Sequence, residues 1–398
     1  HGLLHAADKE FERGRSDGRG IDAVRGKVVV RDAIQSVHPR RQFLKTLAAA
    51  GAAAAVTPLT GLAASAANRR GIKLGYDNFA VRAMNWMVEE HLDYSVKLGC
   101  DSLFMSDLEH FKSLDEAYLK DVRKQAADKG LQIHVGTWSI CPTSKSFRDK
   151  WGTAEEHLRL SIRVAQALGS PVIRVVLGNG EDRKTEGGIM ARIMDTVKVC
   201  KACRSQALYA GVKIAMENHA GDMQAHEVVT LIEEAGGKDY MGANLDAGNA
   251  TWTLETPLDS LEILGPYAVT TSLRDSAVWP SDNGVTVQWT AMGAGMVDWK
   301  AYFDRFAQLC PGVPVHIETI SGFNRELPYY RAEFWEAFPE MKAPTLARYV
   351  AWARNGQARD PWRAPAGADR AEAEKAYQRA EIEESIRYCK SIGLGLKA

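Results

Sequence analysis

From Gly71 onward the chain alternates short runs rich in apolar and β-branched residues with longer stretches whose apolar positions recur every three or four residues. Strand side chains alternate with period two, whereas a helix returns to the same face after about 3.6 residues, so the two rhythms separate strands from amphipathic helices. Eight runs read as strands: residues 72–76, 102–106, 132–137, 172–177, 212–217, 242–246, 269–273 and 313–319. Stretches between them, such as 85–98, 154–168, 189–208 and 298–309, carry the helical rhythm. Leu98-Gly99, Lys129-Gly130 and Ala210-Gly211 place a glycine where a helix must close before the next strand begins. Eight β/α units of this length predict an α/β fold of the (β/α)8 TIM-barrel type. A doubly wound sheet is the alternative, but no Gly-x-Gly-x-x-Gly opens a helix after the first strand.

The two ends follow other patterns. Residues 1–38 are polar and rich in Gly and Arg, and read as a leader or an upstream extension. Arg40-Arg41-Gln42-Phe43-Leu44-Lys45 then precedes an uncharged, Ala-rich run over residues 46–68. Gly51, Pro58 and Gly61 soften that run, where a membrane-spanning helix wants roughly 20 strongly apolar residues. It closes on Ala64-Ser65-Ala66, a small-residue cleavage pattern. The segment resembles a twin-arginine signal, which implies recognition by the twin-arginine export machinery, no stable membrane anchor, and a mature periplasmic protein starting near Ala67. Residues 1–66 are therefore assigned to leader and signal, 67–340 to the barrel, and 341–398 to a C-terminal helical extension. The extension is expected to pack on the barrel exterior or to form a contact in a homo-oligomer.

Charge and cysteine content remove several function classes. Fifty basic and fifty acidic residues cancel; ten and six of these fall within 1–66, leaving 40 against 44. A mildly acidic protein argues against nucleic acid as a partner. Six Cys in 398 residues exclude a disulfide scaffold. Cys200 and Cys203 form a lone C-x-x-C within a helical pattern, without a second pair at zinc spacing, and read as helix residues.

In a barrel the active site lies at the C-terminal ends of the strands, so polar residues there require a chemical reason. The fifth strand closes on Glu217-Asn218-His219, the sixth on Asp246-Ala247-Gly248-Asn249, and the eighth on Glu318-Thr319. An acid closing an apolar strand is costly to bury unless it is paired, protonated or metal-bound. Three strands thus deliver three carboxylates to one rim, a hard oxygen donor set suited to Mg²⁺ or Mn²⁺; for each one alone a structural salt bridge is the competing role. Asn78, Trp138 and Asn179 follow the first, third and fourth strands. Trp138 offers a face for a sugar ring, or loop packing. Asp222 and His226 read as site residues or helix caps, and Asn249 and Trp252 as site residues or turn chemistry. Arg274 is a candidate for an anionic or enediolate oxygen, with an ion pair to Asp246 or Asp275 as the competing role.

The segments Ala215-Met216-Glu217-Asn218-His219, Asn244-Leu245-Asp246-Ala247-Gly248-Asn249, Ser272-Leu273-Arg274-Asp275, Gly293-Ala294-Gly295-Met296-Val297-Asp298-Trp299 and His316-Ile317-Glu318 resemble, in matching order, the xylose-isomerase-like sugar isomerase/epimerase barrels. The resemblance implies a divalent cation (Mn²⁺, Mg²⁺ or Co²⁺) held by Glu217, Asp246 and Glu318. It implies a fourth ligand, a His, at the position of Ser272. Serine is a poor ligand, so either the cation is held more weakly or another group replaces the imidazole. His219 is the nearest candidate by sequence. His316 shares a strand face with Glu318 but should lie one layer deeper.

The expected function is a metal-dependent sugar isomerase or epimerase on a free or oxidised sugar or glycoside. Glu217 and Glu318 remove and return a proton beside a carbonyl, through an enediolate, and His219, Trp138, Asn249 and Arg274 bind substrate. Loss of a β-substituent from the same enediolate makes a lyase on an oxidised glycoside the alternative. A non-catalytic periplasmic sugar-binding barrel is the other alternative. Phosphodiester hydrolysis of the endonuclease IV type wants a His-rich zinc cluster, which seven His beyond Ala67 do not supply at the strand ends.

Overall fold

Eight parallel strands close on one another in a computed structural model that describes residues 70–397. The signal segment and cleavage position expected within 1–66 lie outside the described residues. The barrel strands are β1 (Leu74–Asp77), β2 (Ser102–Met105), β3 (Gln132–Ser139), β4 (Val172–Val176), β5 (Lys213–Glu217), β6 (Met241–Leu245), β7 (Ala268–Thr271) and, eighth in the barrel, β10 (Val315–Ile317). They pair in the order β10-β1-β2-β3-β4-β5-β6-β7. The Leu273 N–H donates to the His316 carbonyl at 2.8 Å and the Glu318 N–H to the Leu273 carbonyl at 2.9 Å, which joins the β7 end to β10 and shuts the barrel. All eight strands occupy the predicted stretches, displaced by at most two residues at their ends.

The outer helices follow from capping and amphipathic spacing. They are α1 (Val88–Lys97), α2 (Glu116–Asp128), α3 (Ala154–Leu168), α4 (Gly188–Ala210), α5 (Ala225–Ala235), a short α6 (Ala247–Ala250), α7 (Pro257–Leu264) and α8 (Trp299–Leu309). Thr153 and Glu156 cap α3 reciprocally, and Gly169 ends it with a φ of 70° that only glycine adopts at little cost. The inner face of α3 buries Leu158, Ile162 and Leu168, each contributing on the order of 2 kcal/mol of transfer free energy. Cys200 and Cys203 are buried on α4 as free thiols, as the helical pattern implies. Among the described residues no helix is long and apolar enough to cross a membrane.

Two features complete the barrel. A hairpin, β8 (Asp275–Ser281) and β9 (Gly284–Thr290), pairs with β11 (Asn324–Leu327) in a separate antiparallel sheet above the C-terminal rim. Its inner face, with Val278, Val285, Val287 and Leu327, forms a second small core with Tyr349 of α9 (Ala343–Ala353). This sheet was not expected, although Ser281-Asp282-Asn283-Gly284 is a turn between two runs of high β propensity. The last helix, α10 (Arg370–Ser391), lies against β1 and β10, where the eighth barrel helix belongs. It is fastened by the Ala83 N–H to Gln378 Oε1 at 2.9 Å, and the chain beyond it by the Leu396 N–H to Asp101 Oδ2 at 2.9 Å.

One buried acid gives the fold a pH dependence. Glu255 Oε2 accepts from the Ala225 N–H at 2.9 Å and from Thr253 Oγ1 at 3.1 Å, and burial pushes its pKa up to about 8. Between the ordinary carboxylate range and about 8 the folded state holds a proton that the unfolded state has lost. Its contribution is therefore full at low pH and is lost as pH rises, by at most about 1.4 kcal/mol per pH unit. Glu255→Gln keeps an acceptor oxygen and should flatten this slope. Urea unfolding at pH 5 and pH 8 measures it, and an unchanged slope in the variant would refute the assignment.

Candidate active site

The topology brings the three strand-end acids together. Glu217 ends β5, Asp246 follows β6, and Glu318 follows β10. One oxygen from each lies within 4.8 Å of the others, and all three side chains are buried. Asp246 is fixed by its second role as N-cap of α6, where Oδ1 accepts the Asn249 N–H at 2.9 Å. Asn249 Nδ2 donates to Asp246 Oδ2 at 2.7 Å and to Glu217 Oε1 at 3.1 Å, joining two of the acids.

Two buried arginines enter the cluster. Arg274 Nη2 donates to both Asp246 Oδ2 and Glu318 Oε2. The ion pair with Asp246 considered from the sequence is present, and it extends to Glu318. Asp275 instead accepts from the backbone N–H groups of Gly293 and Gly295, each at 3.0 Å, and so shapes the loop before α8. The Arg274 stem crosses Gly248 so closely that a β-carbon there would collide with it, which explains the glycine in Asp246-Ala247-Gly248-Asn249. Arg174, in the middle of β4, places Nε 3.0 Å from Glu217 Oε2. Reading for strand ends missed it, although one arginine inside Val172-Ile173-Arg174-Val175-Val176 is a signal that its charge is matched within the barrel.

The electrostatics state what the cluster lacks. Asp77, Glu217, Asp246 and Glu318 are four buried acids, against two guanidiniums. Burial penalises the Arg274 charge, yet Asp246, Glu318 and Glu217 outweigh it and raise its pKa. Burial raises Asp246 and Glu318, with Arg274 opposing and the neighbouring acids adding to the rise. Burial and Glu318 push Asp77 up to about 8, and its Oδ2 has no hydrogen-bond partner. Fully ionised, the set carries two uncompensated negative charges in a medium that penalises them. Hard oxygen donors, their mutual distance and this excess all fit a divalent cation.

The remaining predicted residues divide. Glu318, His219, Trp138, Asn249 and Arg274 line one cavity of about 250 Å³ at the rim. Its other walls include Arg174, Phe79, Trp252, Trp289 and Phe323, so an aromatic enclosure faces a charged floor. His219 Nδ1 lies 2.6 Å from the Gly178 carbonyl, and burial, aided by Arg174 and Arg274, lowers its pKa to about 4, keeping it neutral. It lies outside the three-acid cluster. Trp138 donates Nε1 to the Ser146 carbonyl at 2.9 Å and meets the His219 ring edge-on at 5.3 Å. Ser272 is buried, and its Oγ accepts from Asn244 Nδ2 at 3.2 Å; the same nitrogen donates to Glu217 Oε2 at 2.9 Å. His316 lies deeper, 3.0 Å from Ser102 Oγ and packed on Phe104 and His134, as a barrel filler. Asn78 accepts from the Ser106 N–H at 2.7 Å, and Asn179 caps the turn over residues 180–184. Asp222 accepts the Gly178 N–H at 3.1 Å and the His219 N–H at 2.8 Å, which fixes the His219 loop. His226 stands on α5, away from the cavity.

Comparison with known proteins agrees with this architecture. The family described as xylose isomerase-like TIM barrel matches residues 92–338, and a twin-arginine translocation pathway signal sequence matches residues 39–57. That signal points to export across the membrane. Among curated proteins, 3-oxo-isoapionate decarboxylase of Pectobacterium atrosepticum is 21% identical over 212 residues, covering 53% of this chain and 69% of that protein. Two solved structures share the fold. One is a D-psicose 3-epimerase in the presence of D-fructose, with a TM-score of 0.53 and 14% identity, covering 81% of this chain and all of the other. A D-psicose 3-epimerase with D-tagatose, from Clostridium cellulolyticum H10, has a TM-score of 0.50 and 15% identity, covering 80% and 99%. With more than half of its length matched by one family and its eight strands closed in a barrel, the chain belongs to the xylose isomerase-like TIM-barrel proteins, an enzyme superfamily.

Proposed function

We propose that this protein is a divalent-cation-dependent sugar isomerase or epimerase acting in the periplasm on a free or oxidised sugar or a glycoside. The observation that carries the reading is the meeting of three buried carboxylates from three strand ends, one of which, Glu318, lines an aromatic-walled cavity. Glu217, Asp246 and Glu318 would hold Mn²⁺, Mg²⁺ or Co²⁺, with Ser272 at the position of the family's imidazole. When bound, the cation polarises a carbonyl and acidifies the neighbouring C–H.

The chain's own groups supply the rest. Glu318 faces the cavity with a pKa raised by burial, which makes it readier to hold a proton than an ordinary carboxylate. Glu217 sits behind it, held by Arg174 and by Asn244 and Asn249, and is the second carboxylate of the proton relay. Arg274 and Arg174 stabilise the charge of an enediolate. Trp138 and Trp252 enclose the sugar and limit water, and neutral His219 offers a hydrogen bond to a hydroxyl. The curated relative favours a second reading, in which loss of CO₂ leaves an enediolate that takes up a proton, or an enediolate formed by proton abstraction expels a β-substituent.

Solvent exchange separates these readings. In D₂O, a panel of ketoses, aldoses, oxidised sugars and glycosides is incubated with enzyme and Mn²⁺. Deuterium should enter at the carbon beside the carbonyl and should stop on chelation. Retention of all carbons supports the isomerase reading, and loss of a fragment the lyase. A metal-loaded protein that exchanges no proton on any member would instead support a binding protein. The periplasmic assignment rests on the twin-arginine segment: Arg40 and Arg41 both changed to Lys should leave precursor in the cytoplasm, and unchanged export would overturn that route.

A further inference from the structure

A second cavity, of about 440 Å³, adjoins the first. Trp252 lines both, Ala220 lines the sugar-sized one, and Gly221 lines the other. The partition is a four-layer stack. Arg274 lies over Trp289 with its guanidinium carbon 4.5 Å from the ring centre, and Trp289 stacks on Trp252 at 4.0 Å with an interplanar angle of 12°. Arg325, from β11, covers the Trp252 ring at 3.8 Å. One end of the stack thus presents a guanidinium to the carboxylate cluster, and the other end presents Arg325 to the second cavity.

Among the described residues Arg325 is the cation of that cavity whose guanidinium has neither an anion nor a hydrogen-bond acceptor. Arg183 is held bidentately by Glu227 at 2.7 and 2.9 Å, and Lys184 pairs with Glu181 at 3.0 Å. Arg331 donates to Asn283 Oδ1, and Glu326 accepts from Ser281 Oγ at 3.1 Å; Glu333 is exposed. Among the described residues the Arg325 guanidinium makes no hydrogen bond or salt bridge; burial lowers its pKa, with Glu181 only partly opposing. A half-buried, unpaired guanidinium beside apolar walls is costly unless an anion joins it, and its planar fork matches a carboxylate. Among the described residues no rim carboxylate pairs with it.

We infer that the second cavity is a subsite for a carboxylate carried on the distal ring of the substrate, bound by Arg325. The protein would then accept a glycoside or linked sugar whose reacting ring lies over Glu318 and whose far ring is acidic. This rests on the reading of the first cavity as a sugar site, but its test does not, because isolated distal fragments are sufficient. Two sources of the carboxylate are tested separately in the full-length protein: 4-hydroxybenzoate against neutral 4-hydroxybenzamide, and D-glucuronate against D-glucose.

Calorimetric titration should give the acid of at least one pair a preference of about tenfold. Arg325→Gln should abolish that preference, whereas Arg325→Lys, which keeps the charge without the fork, should retain part of it. The benzoate pair alone responding identifies an aromatic acid, and the glucuronate pair alone an acidic sugar. No preference in either pair overturns the inference, as does a preference that survives Arg325→Gln, because the anion then sits elsewhere, such as at Arg274. Should the Gln variant not fold, a full undiminished preference in the Lys variant overturns the inference and a partial loss supports it. Solvent exchange failing while the fragments bind would count only against the sugar chemistry of the first cavity.

Discussion

Glu318→Gln is expected to lower proton exchange and turnover by about 10²- to 10⁴-fold while leaving the fold intact, the range that a positioned acid–base group contributes. The substitution keeps the shape of the side chain and an oxygen that still accepts from Arg274, so packing around the eighth strand end is conserved. It removes the ionisable carboxyl that faces the cavity and is proposed to carry the proton. Both residues are proposed cation ligands, so Glu318→Gln should also hold metal more weakly, but Asp246→Ala should disturb the fold in addition. Asp246 lies behind Glu318, caps α6 and is joined to Asn249, so its loss should remove bound metal and loosen the loop as well. Plasma emission analysis for metal, run beside the deuterium-exchange assay, separates the two effects. Exchange that survives Glu318→Gln at the wild-type rate would shift the proton-carrying role to Glu217, the neighbouring carboxylate paired with Arg174.

The contrast between Glu318 and Arg274 marks how far the sequence was legible. Acids that close apolar strands announce themselves, because burial without a partner is so costly that their presence implies a matching charge. Glu217, Asp246 and Glu318 are legible in this way, and barrel topology alone places them on one rim. Their partners were harder. Arg174 is hidden by its own strand, where period two says which face it takes but not which layer of the barrel it reaches. Arg274 was visible, but whether it would turn to Asp246 or Asp275 depended on Gly248, whose missing β-carbon opens the path across α6. The antiparallel sheet escaped because its hairpin has no helix between its two strands to set the rhythm, and its third strand comes from a segment beyond β10. Without it the stack of Trp252 on Trp289, and hence the second cavity, had no basis in periodicity.

The largest effect on stability is expected from Arg274→Gln. Its guanidinium is the cation shared by Asp246 and Glu318, and all three groups are buried. Removing one member of a buried ion pair leaves the other charge uncompensated, a loss of about 3–5 kcal/mol. The two acids would answer by holding protons more firmly than they already do. For carboxyls whose folded pKa is raised, stability is present at low pH and is lost as pH rises through the folded value. The metal-free variant should therefore unfold more readily at pH 8 than at pH 5, with a steeper dependence than the wild type. A divalent cation should reverse the deficit, since Mn²⁺ no longer competes with a guanidinium for the same two oxygens. The rise in Tm at saturating Mn²⁺ should accordingly be larger in the variant than in the wild type, because a ligand that binds only the folded state stabilises it by an amount set by its Kd. Equal Tm shifts in the two proteins would mean that Arg274 and the cation do not share Asp246 and Glu318. In that case the three carboxylates are a structural ion-pair network satisfied by arginine, and the divalent site must be sought on other residues.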